Sequence, residues 1–114
     1  MAGSTVQRNA GPTVALSVNN VAHAAVLIDD NTNDQINYSS FLNTGASPIA
    51  IRMGTVNPGA PVFPTDGTNG DYVLPAGMTT PLILATPTTP YYLTAVSNNA
   101  TAGILYVTPA ADQS

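Results

Sequence analysis

The sequence predicts an all-β fold, a single-domain β-sandwich or jelly-roll-like architecture of eight or nine short strands. Three observations carry this. Three apolar runs, Leu82–Ala85, Tyr91–Val96 and Ile104–Val107, are each too short for a helix and rich in β-branched and aromatic residues. Several segments alternate with period two. Turn residues separate all of them, as Pro87 and Pro90 do before Tyr91, and Asn98-Asn99 and Gly103 before Ile104.

Taken in order, residues 1–11 read as a polar, flexible N-terminal arm, residues 12–109 as the sandwich domain and residues 110–114 as a frayed tail. The start lacks a basic region followed by an apolar one, so no signal peptide is expected. Thr13–Val18 alternates, with Val14, Leu16 and Val18 on one face. Val21–Ile28 (VAHAAVLI) allows a short helix capped by Asn19 or Asn20, but the flanking turn signals and the Val-Leu-Ile run favour a buried strand. After the Asp29–Asp34 turn, Gln35–Leu42 would put Ile36, Tyr38 and Leu42 on one face. Ile49, Ile51 and Met53 alternate with Ala50 and Arg52, which sends Arg52 away from the core. Gly54–Gly70 has too many prolines and glycines for a central strand, and Asn69-Gly70 ends it as a tight turn. Tyr72–Leu74 opens the final region, and Pro75-Ala76-Gly77 turns the chain again. The two-sided apolar runs Val26–Ile28 and Leu82–Leu84 read as central strands covered on both faces; a subunit interface would look the same.

The chain has 114 residues, enough for one core without staples, and no cysteine, so disulfides and thiolate metal sites are excluded. No apolar run approaches the roughly 20 residues of a membrane span, and no membrane partner is expected. Only 7% of residues are charged, with Arg8 and Arg52 against six Asp and a net charge of −4. Two scattered arginines cannot neutralise a run of phosphates, so nucleic acid is not an expected partner. So few charges suit a surface partly occupied by neighbours, and equally a monomer solvated by Thr, Asn, Ser and Gly. The low charge and two-sided runs lead us to expect a homo-oligomer, with a trimer favoured.

Candidate chemistry is sparse. Asp29-x-Asn31-x-Asn33 resembles half a calcium loop, but Asp34 stands where glycine is needed and Ser40 where a bidentate Glu is needed. Asp66–Asp71 is a second oxygen-rich turn with similar faults, and both read as turns built for backbone freedom. His23, the single histidine, has no nucleophile elbow among Ser17, Ser39 and Ser40. Asp29 and Asp30 would face opposite sides of a strand and form no dyad. Asn37-Tyr38-Ser39 and Asn99-Ala100-Thr101 fit the glycosylation pattern as chance matches. Tyr91-Tyr92 reads as one core and one surface ring rather than a sugar platform. No catalytic residue, metal or cofactor is expected. Val62 and Phe63, an apolar pair inside the long Gly54–Gly70 loop, are the candidate partner anchors.

Two phrases resemble known proteins. Phe41–Gly54 (FLNTGASPIAIRMG) resembles a strand–turn–strand phrase of small phage virion proteins. Val73–Gly77, Tyr91–Ser97 and Ala100–Pro109 resemble the end of the same kind of protein: a leucine-proline-alanine-glycine turn, a strand, and a closing strand ending in valine-threonine-proline. The resemblance implies a β-sandwich or jelly-roll structural protein of a tailed phage, of the capsid decoration (cement) type. It implies a place on the outer capsid surface of the virion, with the major capsid protein shell as partner, and an oligomer, most often a trimer. The alternative is a head- or tail-fibre-associated adhesion module that binds host glycans. An enzyme acting on carbohydrates is disfavoured by the missing paired carboxylates.

Overall fold

The computed structural model describes residues 7–9, 11–29, 38–87 and 90–112. Nine strands are found there, and no helix. They are β1 (Gln7–Asn9), β2 (Val14–Val18), β3 (Val26–Asp29), β4 (Tyr38–Asn43), β5 (Ile49–Gly54), β6 (Tyr72–Leu74), β7 (Leu82–Ala85), β8 (Tyr91–Ser97) and β9 (Gly103–Asp112). Two antiparallel sheets result. One has the order β2-β9-β4-β7, with β1 beside β9 as well; the other has the order β3-β8-β5-β6.

The pairing is nested. β2 lies beside β9, β3 beside β8, β4 beside β7 and β5 beside β6. Eight strands folded as one long hairpin and rolled into two sheets make a jelly roll, so the expected fold class holds, with β1 as an addition. The core lies between the sheets. Leu16, Val18, Phe41, Leu105 and Val107 come from the first, and Ile28, Ile49, Ile51, Leu74, Tyr91, Leu93 and Ala95 from the second.

Four sequence expectations need correction. Val26–Ile28 and Leu82–Leu84 are not central strands: β3 and β7 each stand at a sheet edge, with Leu27 38% and Ile83 40% exposed. The central strands are β4 and β9, and β5 and β8. The strand expected over Val21–Ile28 begins only at Val26. The residues before it run irregularly along β8, where the His23 amide donates to the Ala95 carbonyl at 2.8 Å and the Ser97 amide to the Asn19 carbonyl at 2.7 Å. In β4 the core face is Ser39, Phe41 and Asn43, not Tyr38 and Leu42; Ile36 lies outside the described residues. Phe41 sets the register because its ring buries the largest apolar area, and the polar neighbours on its face are satisfied. Ser39 Oγ hydrogen-bonds the Tyr91 hydroxyl. Asn43 Nδ2 donates to the carbonyls of Ser47 and Pro75 at 2.9 and 3.0 Å, and its Oδ1 accepts from the Gly45 amide at 3.0 Å.

The fourth correction concerns the ends. Gln7–Asn9, inside the expected arm, pairs with Ala110–Asp112, inside the expected tail. β9 therefore runs past Pro109. Asn9 opposes Ala110 and Val14 opposes Val107, so the N-terminal side carries two extra residues there, around Gly11-Pro12. Pro109 falls in that gap, where β9 has no strand partner on this side, so its missing amide breaks no pairing there.

Candidate functional site

Gly54–Gly70 does not reach away from the molecule. It folds back as a strap over the outer face of β5 and β8. Tyr91, Leu93 and Ala95 of β8 face the core, and Thr94 and Val96 on the opposite face are buried as well. Thr94 Oγ1 donates to the Gly59 carbonyl at 3.0 Å, and Pro61 is buried.

Arg52 clasps the strap. It points away from the core as its alternation predicts, and it donates from Nε and Nη2 to the two carboxylate oxygens of Asp71 at 3.1 and 2.9 Å. Its Nη1 reaches the Pro58 carbonyl at 3.5 Å. Asp71 Oδ2 also accepts from the Val62 amide at 2.7 Å, and the Asp71 amide returns a bond to the Val62 carbonyl at 2.8 Å. This fork-to-fork geometry fixes orientation as well as energy. Burial acts to raise the Asp71 pKa, but the hydrogen bonds from Arg52 and Val62 and the guanidinium charge outweigh it and leave the pKa below the ordinary value.

The candidate anchors Val62 and Phe63 sit on this strap. Val62 is 43% exposed, and Phe63 is half-buried. The Val62 backbone is held by Asp71 at both its amide and its carbonyl, so Val62 is presented from a fixed support.

The outer face of the five-stranded sheet is a second surface. Its described side chains are Ala15 and Ser17 from β2, Tyr38, Ser40 and Leu42 from β4, Ile83 and Ala85 from β7, and Ile104, Tyr106, Thr108 and the buried Ala110 from β9. None is charged. The charged groups whose side chains are described, Arg52, Asp66 and Asp71, belong to β5 and the strap region. Sequence reading missed this face because its residues are scattered over four strands and share it only through the register.

A third feature is a shallow groove of about 590 Å³ beside Pro75–Leu82, walled by Tyr72 and Met78. Tyr72 is 54% exposed. The other aromatic pair is placed as alternation predicts: Tyr91 is fully buried and Tyr92 half-buried.

The remaining candidates are not brought together. Asp66-Gly67 forms a tight turn, with the Thr68 amide bonded to the Thr65 carbonyl at 2.9 Å, while Asp71 is spent on Arg52 and Val62. Of Asp29–Asp34, residues 30–34 lie outside the described residues, as does Asn37. Among the described residues no group of three or more His, Asp or Glu side chains could share a metal ion. His23 Nδ1 bonds the neighbouring Ala24 carbonyl at 2.8 Å, in a cleft shared with Asn57 and with Thr94, whose hydroxyl donates to the Gly59 carbonyl. Asn99 is engaged at both ends, donating to Ser47 Oγ and accepting from the Thr101 amide, each at 2.9 Å. Among the described residues no helix is long and apolar enough to cross a membrane. Comparison of the chain with protein families, with curated proteins and with solved structures finds no match.

Proposed function

We propose that this chain is a non-enzymatic structural protein that decorates and stabilises the outer surface of a protein shell, as phage cement proteins do, acting as a homo-oligomer. The observation that carries the reading is that none of the described side chains on the outer face of the five-stranded sheet is charged. A protein so poor in charge has shape, apolar contact and amide hydrogen bonds with which to hold a neighbour. Jelly rolls recur in viral capsids, an analogy of fold and no more than that. The phrases resembling phage virion proteins point the same way.

The test is binding of the purified chain to phage shells that lack it, across a sodium chloride series. Exposed ion pairs contribute at most about 1 kcal/mol each and are screened by salt. Apolar burial contributes roughly 25 cal/mol per Å² before association costs, and screening does not weaken it. Occupancy should change little with salt, and occupied shells should melt at higher temperature than bare ones, because a ligand of the assembled state stabilises it. Absence of binding would end the cement reading.

The Tyr72 groove favours a second reading, adhesion to host glycans. An exposed ring beside the Thr79 and Thr80 hydroxyls is what a neutral sugar would stack on and bond to. A glycan array separates the two readings: specific glycan binding abolished by Tyr72→Ala, with shell stability unchanged, would assign adhesion.

A further inference from the structure

Among the described residues, strand β7 is a sheet edge protected by little more than its length of four residues. An edge presents unpaired amides and carbonyls, and proteins blunt it with charges, internal prolines, bulges or very short strands. The other described edges carry such devices. The β1–β2 edge is interrupted by the extra residues around Gly11-Pro12. β3 has a register shift between Leu27 and Asp29. β6 is three residues long. In contrast β7, Leu-Ile-Leu-Ala, pairs with β4 in unbroken register from Tyr38↔Ala85 to Phe41↔Leu82 and contains no charge and no proline. Alternate residues of an antiparallel strand turn their amide and carbonyl away from the existing partner, so half of β7 offers its backbone outward.

We propose that β7 pairs with β7 of a second copy of this chain, antiparallel across a twofold axis at Leu84, joining two five-stranded sheets into one. Two observations select a second copy as occupant. The proline-free run is Leu82–Thr86, bounded by Pro81 and Pro87 and centred on Leu84. Pairing it with itself places Leu84 opposite Leu84, Ile83 opposite Ala85 and Leu82 opposite Thr86, and drops both prolines outside the ladder. That register keeps outer-face residues opposite outer-face residues, so the two uncharged faces become one. No like charges meet, although each chain carries a net charge of −4. The inference does not rest on the shell reading; it favours a twofold pair over the threefold assembly implied by the resemblance.

The test uses the full chain. Sedimentation equilibrium should give a dimer. Ile83→Lys, at an exposed outer position, should raise the dimer dissociation constant at least tenfold and leave the circular-dichroism spectrum unchanged. Because the chain has no cysteine, register can be read by crosslinking. Facing residues of an antiparallel pair lie close enough for a disulfide. A mixture of Ile83→Cys and Ala85→Cys chains should crosslink under mild oxidation, whereas Val56→Cys, more exposed than Ile83 but on the strap, should not. A monomer at every concentration, a trimer, or a dimer that neither responds to Ile83→Lys nor gives the 83–85 crosslink overturns the proposal.

Discussion

Asp71 joins the strap to the sheet by one carboxylate, and its contribution can be isolated by pH. Its folded pKa lies below the ordinary value, so it contributes stability that is fully present above the unfolded pKa, about 4, and lost as pH falls through the folded pKa. Asp71→Asn keeps the shape but removes the charge. It should cost about 1–2 kcal/mol at pH 7, a range reduced for the partial exposure of both partners. Denaturant titrations of both proteins from pH 7 to pH 2 should show the gap closing below about pH 4. A gap that stays constant over that range would mean that the ion pair contributes nothing. The outward direction of Arg52 was legible in the sequence, because Ile49, Ile51 and Met53 fix the inward face. Its partner was not, because Asp71 sits 19 residues away across the strap, next to a turn that accounts for an acidic residue locally. The burial of Ser39 was hidden for a similar reason, since its hydroxyl pairs with the distant Tyr91, and Asn43 adds the distant Pro75 carbonyl to its local partners Gly45 and Ser47.

At the level of elements, nearly every strand was legible from alternation and turn chemistry, and what failed was which strands lie inside. Leu-Ile-Leu and Val-Leu-Ile carry the apolar content of central strands, yet both stand at edges. Local pattern reports that both faces of a strand are apolar; it does not report whether the same chain or another molecule covers them. The Gly54–Gly70 strap shows the converse. Its prolines and glycines excluded a strand, and instead it covers β8 at Thr94, which explains why that side chain is buried on a face opposite the core. The strap also sets the expectation for Val62 and Phe63. If it meets the shell, replacing both with Ser should lower shell occupancy at a fixed concentration at least fivefold while the melting temperature of the free chain falls by only a few degrees, since Val62 is 43% exposed and Phe63 is only partly buried. Unchanged occupancy would move the interface to the uncharged outer face of the other sheet.

For the whole molecule, nesting ties stability to chain order. The innermost pair, β5 with β6, is joined by the strap and held by Arg52 and Asp71; β4 with β7 and β3 with β8 enclose it; β2 with β9 closes the roll near both ends of the described chain. Each outer pair brings together residues further apart in sequence, so the mean separation of contacting residues is high and folding should take milliseconds to seconds. Loop-closure entropy grows with the logarithm of loop length, so forming β2–β9 before the inner pairs closes a long loop with no contacts yet inside it to offset the cost. Once the inner pairs exist, the same step closes a short one. The transition state should therefore hold β5 and β6 in place and leave β2 outside. Leu74 in β6 and Leu16 in β2 test this with the same chemistry, since both are fully buried. Leu→Ala at such positions costs about 2–5 kcal/mol, well above the size needed for a reliable φ-value. Leu74→Ala should act mainly by slowing folding and Leu16→Ala mainly by speeding unfolding. The chain has no tryptophan, so stopped-flow tyrosine fluorescence is the probe, with Tyr91 as the buried reporter. A larger φ-value at Leu16 than at Leu74 would place nucleation at the chain ends and refute inside-out closure of the roll.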